Sequence, residues 1–449
     1  MPGERDVTVI GGGLAGITAA IRLADAGRRV TLLESKPRLG GLTYSFQRGD
    51  LTVDNGQHVF LRCCTAYRAL LDRLGVTDQV ELQPRLDIRV RSPRSATEAR
   101  LRRTGLPAPL HLSGSIARYR LLSVSQRLRF VRAALAMKRL DRDRAGVDER
   151  SFGDWLREHK QDQTTIDAMW DLVGVATLNA KPDRTSLAAA AMVFQVGLLT
   201  DASAADIGWA AVPLQRLHGE AAAALLDQLG VEVRTNATVT AIDPVGGRFV
   251  VRTADLDFDS DSVVVAVPPA AAENLLPTTA LSTEPGWSAR LPDSPIINVH
   301  VILDRTVLRD PFLAGAGTPI QWVFDRTATS GLADGQYLAV SVSAADDFID
   351  TPVATLREQL LPELIALLPA MGEAHIKDFF VTRERHATFR PEPGTRRYRA
   401  RTNTHVPGLF LAGAWTDTGW PATMEGAVRS GDAAAAAVLA RPVRTGVAA

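Results

Sequence analysis

Residues 53–67 read VDNGQHVFLRCCTAY, and several kinds of chemistry are compatible with those residue types. His58, whose side chain has an unperturbed pKa of about 6.5, could give or take a proton near neutral pH. Cys63 and Cys64 are the only cysteines of the chain. Adjacent cysteines rarely meet the geometry of a bridge, and two neighbouring thiolates do not easily turn onto one ion. No His/Cys cluster completes four ligands, so no metal site is expected. The cysteines then read as small hydrophobes at a helix start, and the weight falls on Gly56, Gln57 and His58. Asp54 and Asn55 suit a turn, because Asx side chains bond their own backbone.

The elements that would position this histidine lie upstream. Asp6–Ile10 is a short β-branched run suited to a buried parallel strand. Gly11, Gly13 and Gly16 follow in G-x-G-x-x-G spacing and lead through Leu14 and Ala15 into a helical pattern that ends at Gly27. Arg29–Leu33 is a second strand, closed by Glu34. In such a unit the first glycine permits the turn, the second admits a pyrophosphate and the third lets helix and strand pack. The pyrophosphate sits on free N–H groups at the positive end of the helix dipole. An acid at the position of Glu34 bonds the adenosine ribose hydroxyls and disfavours a 2′-phosphate, hence NADP.

After Glu34 comes SKPRLGGLTYSF, with Ser35, Arg38, Gly40, Gly41 and Leu42. This stretch resembles the second glycine motif of the amine oxidase and phytoene desaturase flavoproteins, whose loop contacts the FAD pyrophosphate. Arginine supplies fork-shaped donors that suit phosphate. That pattern usually carries a further arginine after the glycine pair, where this chain has Leu42. The resemblance implies that Val239, in GVEVRTNATVTAID, meets the adenine through its backbone. It also implies that GLFLAGAWTDTGWPATMEGAVRSG (residues 408–431) brings Gly413, Thr423, Met424 and Glu425 to the flavin. Amides at that helix start could stabilise negative charge on the reduced ring. Glu425 is either a second acid or a carboxylate that complements the dipole. The family usually has an acid after the LAG glycine; Ala414 stands there, with Asp417 as a candidate replacement at the ribityl chain. The lack of a cysteine near the carboxyl end argues for non-covalent FAD.

Three stretches narrow the resemblance. VDNGQHVFLRCCTAYRALLDRLG, RERHATFRPEPG and LAGAWTDTGWPATMEGAVRSG are similar to hydroxysqualene dehydroxylases, also called squalene-associated FAD-dependent desaturases. That family implies reduction of a lipophilic substrate, hydroxysqualene, to squalene in hopanoid biosynthesis, with His58 as the candidate acid beneath the flavin. A histidine that only fixes its loop is the alternative. The rivals are an oxidative carotenoid-type desaturase, an amine oxidase, and a flavin-bound polyisoprenoid carrier without catalysis.

A chain of 449 residues exceeds the roughly 250–300 at which one core stops growing. The expected fold is α/β: an FAD-binding Rossmann-like domain with a split βαβ layout, plus a mixed α+β substrate domain. The cofactor segments are 1–75, 205–285 and 400–449, and the substrate segments are 76–204 and 286–399. The first substrate segment reads as helical, with a capped start at Ser151. The second carries strands at 296–303, 320–324 and 337–342 and a helix over 353–368. A net charge of +1 creates no field that would recruit nucleic acid. The two cysteines point to a reducing, cytoplasmic setting. Residues 117–144, rich in arginine and interleaved with apolar positions, read either as a basic amphipathic helix on the inner face of the cell membrane or as a solvated helix face. Nothing in the sequence designates an electron donor.

Overall fold

The computed structural model describes residues 6–441. The stretches 1–5 and 442–449, which belong to the first and last cofactor segments expected from the sequence, lie outside the described residues. A five-stranded parallel sheet is assembled in the order Glu232–Arg234, Arg29–Leu33, Asp6–Ile10, Ser262–Val265 and Leu409–Leu411. Helices cover one face, and the antiparallel sheet of Val239–Val245, Arg248–Thr253 and Asp257–Ser260 packs on the other, so the central strands are buried on both sides. The helix Leu14–Asp25 packs against the helix Met424–Ala440, and Val9, Ile17, Leu32 and Val264 are among the buried residues between the layers. Ile10 lies in register with Leu33 on one side and with Val265 on the other, and Val265 with Leu411. The carboxyl ends of these four strands therefore form one edge, the position at which open parallel sheets bind ligands.

A seven-stranded sheet carries the other half of the molecule, in the order Ile376–Phe389, Asp293–Leu303, Gln336–Ser343, Trp322–Asp325, Phe312–Gly315, Asp87–Ser92 and Ser95–Arg102. The hairpin of Asp87–Ser92 with Ser95–Arg102 corrects the all-helical expectation for the first substrate segment. Its buried Ile88, Val90, Ala99 and Leu101 alternate with arginines whose charges pair with acids of the hairpin, as in Arg89–Glu98 and Arg100–Asp87. One face of the sheet is covered by the helix Val353–Leu367, with Ile297, Val299, Val340 and Leu360 in the core between them. The other face looks toward the hairpin of Ser45–Arg48 and Leu51–Asp54. Ser151 caps the helix Phe152–Glu158 by accepting a hydrogen bond from the Asp154 amide. Among the described residues no helix is long and apolar enough to cross a membrane.

Candidate active site

The two glycine motifs meet. A Cβ on Gly41 would stand 2.9 Å from the Cα of Gly13, so the loops touch backbone to backbone and a side chain at Gly41 would force them apart. A Cβ on Gly16 would lie 1.8 Å from the Gly11 carbonyl oxygen, which is the close helix–strand packing expected of a third glycine. Gly13 caps the helix Leu14–Asp25 without any side-chain hydrogen bond, so the helix start presents uncapped amides. Glu34 is buried, and its carboxylate accepts from the Gly12 amide at 2.6 Å, the Lys36 amide at 2.7 Å and the Ser35 hydroxyl at 3.2 Å. The acid thus shapes the glycine turn as well as facing the edge. Ala237, two residues before Val239, donates its amide to the Glu34 carbonyl, which brings the start of the strand Val239–Val245 to the same edge. Arg38 stacks 3.5 Å over the Tyr44 ring beside Gly41, with Gly40 one residue away, whereas Leu42 is exposed. This uncapped helix start, glycine-on-glycine contact and arginine fork fit a dinucleotide pyrophosphate.

At the other end of the sheet edge, the Gly413 amide donates to the buried Ser430 hydroxyl at 2.7 Å. Thr423 caps the helix Met424–Ala440 by accepting from the Gly426 amide at 3.2 Å. Glu425 lies in the first turn of that helix, as the dipole-complementing alternative expects. Its carboxylate, fully buried, accepts from the Ala66 and Tyr67 amides at 3.1 and 2.7 Å and from Arg429 at 2.7 Å. It therefore closes the amino end of a second helix, Thr65–Arg73, and is committed as a structural carboxylate rather than a second acid. Cys64 is the backbone cap of that same helix. Asp417, the candidate replacement at the ribityl chain, is exposed. The sequence reading misses Arg399, which donates to the Ala414, Trp415 and Thr416 carbonyls and braces this loop from below. Burial pulls its pKa down to about 10.

The Gly56–Gln57–His58 turn is held from both halves of the molecule. Asp54 accepts from the Leu214 amide at 3.0 Å and the Ser45 hydroxyl at 2.6 Å, and forms a buried ion pair with Arg326 at 2.7 Å. Arg326 also donates to the Ala210 carbonyl at 3.2 Å. The Asn55 carbonyl accepts from the Asn298 carboxamide at 3.3 Å. A Cβ on Gly56 would lie 3.3 Å from His58 Nε2 and 3.7 Å from Asn298 Nδ2, so both side chains crowd the same side of the turn. The Gln57 amide nitrogen is buried without a partner, a donor left for a bound group. Burial lowers the His58 pKa from its ordinary value; Asp54 opposes that shift and Arg326 adds to it. The ring is therefore neutral near pH 7, and its proton-donating form belongs to acid conditions. Close by, the His218 ring bonds the Leu214 carbonyl at 3.2 Å through Nδ1. Nδ1 must carry the proton there, so Nε2 accepts from the Tyr67 hydroxyl at 2.8 Å.

His58 leads into the strand Val59–Leu61, and Val59 pairs with Trp209. From Trp209 an aromatic series runs along the wall, to Phe312 at 5.5 Å and Trp322 at 5.8 Å between ring centroids. All three rings belong to one apolar cluster, in which Phe312 is 3% exposed.

Residues 14–439 match the family of flavin containing amine oxidoreductases. The chain belongs to that family. Its members explain the two glycine loops and the carboxyl-terminal helix start, and the protein is accordingly a flavin-dependent oxidoreductase. It is similar to a hydroxysqualene dehydroxylase of Rhodopseudomonas palustris, at 29% identity over 97% of this chain and 99% of the relative. It is also similar to a zeta-carotene desaturase of Synechocystis, at 25% identity over 98% of each chain. Among solved structures, putrescine oxidase bound to putrescine superimposes with a TM-score of 0.72 at 20% identity, covering 98% of this chain and 99% of the other. Cyclohexylamine oxidase from Brevibacterium oxydans does so with a TM-score of 0.70 at 19% identity, covering 97% and 99%. These two show the two-domain α/β fold.

Proposed function

We propose that the protein binds FAD non-covalently and reduces hydroxysqualene to squalene. The observation that carries this reading is the placement of the Gly56–His58 turn. The turn leads into a strand paired with Trp209, which adjoins the aromatic cluster of Phe312 and Trp322, and this supports an apolar substrate. The near full-length similarity to hydroxysqualene dehydroxylases supports the choice of substrate.

In this reading Gly11, Gly13, Leu14, Ala15, Gly16, Arg38, Gly40 and Gly41 hold the pyrophosphate. Glu34 and Ser35 face the ribose, Val239 the adenine, and Gly413, Thr423 and Met424 the flavin. FAD, bound in reduced form, supplies a hydride to carbon. The chain's own residues supply the rest. The allylic hydroxyl leaves as water once protonated, and His58 is the candidate proton donor. Because burial disfavours the charged imidazole, turnover by this route rises as pH falls. The Trp209, Phe312 and Trp322 wall keeps bulk water from the allylic cation.

A triterpene resides in lipid, and the helix Val124–Arg139 offers a way to reach it. Val124, Leu128, Val131 and Leu135 recur at helical spacing on its outer face and are 64%, 62%, 38% and 38% exposed. A solvated face would carry charge there. Exposed Arg118, Arg120, Arg132, Lys138 and Arg139 flank the stripe and complement an anionic bilayer. The protein would then work peripherally on the inner face of the cell membrane.

Anaerobic incubation of the dithionite-reduced protein with hydroxysqualene tests the reaction, with squalene measured by mass spectrometry. Squalene formation is expected. No squalene, together with oxidation of carotenes or of amines by the aerobic protein, would overturn it in favour of a desaturase or an amine oxidase.

A further inference from the structure

One cross-strand row of the seven-stranded sheet is polar where its neighbours are not. Thr382 lies opposite Asn298, Asn298 opposite Ser341, and Ser341 opposite Trp322, so the four side chains share a face. The next row, Val381, Val299, Val340 and Val323, points the other way into the core under the helix Val353–Leu367. The polar row faces the turn that carries His58: Thr382 and Asn298 both donate to the Asn55 carbonyl, at 3.5 and 3.3 Å.

The row is incomplete by itself. Asn298 is 1% exposed, and while its Nδ2 is engaged, its Oδ1 is buried without a partner. Trp322 Nε1, two strands along, is likewise buried and unpartnered. Buried polar atoms in folded proteins are otherwise almost always paired. The unmet atoms comprise an acceptor and a donor, and neither belongs to a charged group. Asp54 and Arg326 neutralise each other, and His300, next but one along the strand, is held neutral by burial with its pKa lowered to about 3. A guest that completes the row is uncharged and both donates and accepts. Opposed residues in an antiparallel pair stand roughly 4.5–5.5 Å apart at Cα, so one small polar group can reach both the Asn298 and Ser341 side chains.

We propose that the Asn298–Ser341–Trp322 row is a subsite for an uncharged hydroxyl, the alcohol end of an otherwise hydrocarbon ligand. The hydroxyl donates to Asn298 Oδ1 and accepts from Ser341 or Trp322. This rests on the reading of the site as one for a hydroxylated triterpene, and it makes Asn298 the residue that separates alcohol from hydrocarbon. An ammonium would find no counter-charge on the row.

The test is equilibrium binding of radiolabelled hydroxysqualene and squalene, and of farnesol against its parent hydrocarbon, to the oxidised flavin-loaded protein and to its Asn298→Leu and Trp322→Phe variants. The wild type should favour each alcohol, and Asn298→Leu should lower that preference roughly tenfold or more. Trp322→Phe keeps the ring and should lower it less, which guards against a loop merely disturbed by the first substitution. Equal affinity of the wild type for alcohol and hydrocarbon would overturn the subsite, as would an unchanged preference in both variants. Asn298-dependent alcohol binding without squalene formation would leave the subsite standing and remove the reaction. Squalene formation with an unaltered preference in the variants would do the reverse.

Discussion

Arg326 and Asp54 form an ion pair 2.7 Å long in which neither side chain is more than a tenth exposed, and it ties the seven-stranded sheet to the hairpin that carries the Gly56–His58 turn. Removing one partner strands the other charge in a dry site. Arg326→Leu or Asp54→Asn is expected to cost about 3–5 kcal/mol in unfolding free energy, whereas replacing both together should cost less than either alone. Chemical denaturation of the two single variants and the double variant checks this; additive losses would show that the pair is not coupled.

The same pair tunes His58. Burial is the largest cause that lowers the His58 pKa; Asp54 opposes it and Arg326 adds to it. If the imidazolium is the acid, kcat should fall as pH rises through a value below about 6.5. Arg326→Leu should move that limb upward and Asp54→Asn downward. His58→Gln should abolish the limb while flavin remains bound. A profile indifferent to all three substitutions would reduce His58 to a loop-fixing role.

Buried histidines also make the fold acid-sensitive. His218 and His300 have folded pKa values lowered to about 3 by burial, against about 6.5 in the unfolded chain. A lowered pKa on a base means that the unfolded chain binds protons more readily. Their contribution is therefore fully present above about pH 6.5 and is lost as pH falls toward 3, by up to about 1.4 kcal/mol per pH unit for each residue. Melting temperatures taken from pH 7 to pH 4 should fall, and His218→Gln with His300→Gln should flatten the slope even if the double variant is less stable at pH 7.

Membrane contact through the Val124–Arg139 helix predicts that the protein pellets with vesicles rich in anionic lipid and is released by salt. Leu128→Asp with Val124→Asp should abolish pelleting, and neutralising Arg132, Lys138 and Arg139 should weaken it. Arg129 makes a poor probe because it pairs with Asp162 at 2.9 Å on the protein itself. Equal recovery of wild type and stripe variant in the pellet would exclude this surface.

The cofactor side is legible in the sequence because its signals are local. Gly11, Gly13, Gly16 and Glu34 fall within a single strand–helix–strand unit, and the backbone itself demands glycine where loops touch. The seven-stranded sheet is less legible. Its hairpin at Asp87–Ser92 and Ser95–Arg102 alternates arginine with Ile88, Val90, Ala99 and Leu101, but the apolar run is short on each strand and the cross-strand ion pairs lie outside any local pattern. Asn298 and Arg326 carry no signal in the sequence, since they meet Asn55 and Asp54 across 243 and 272 residues of chain. Glu425 shows the opposite limit. An acid at the start of a helix suggests its own dipole, yet it serves the helix Thr65–Arg73, a partner only the fold can supply.

The parallel sheet takes its centre from Asp6–Ile10 and its edge from Leu409–Leu411, and this sets a timetable during synthesis. At about 5–20 residues per second, roughly 7–29 s pass between the emergence of Val265 and of its partner Leu411. For that interval the strand Ser262–Val265 has an open edge and one of the four strands of the ligand-binding rim has not been made. The newborn chain completes that rim only once Leu409–Leu411 has emerged.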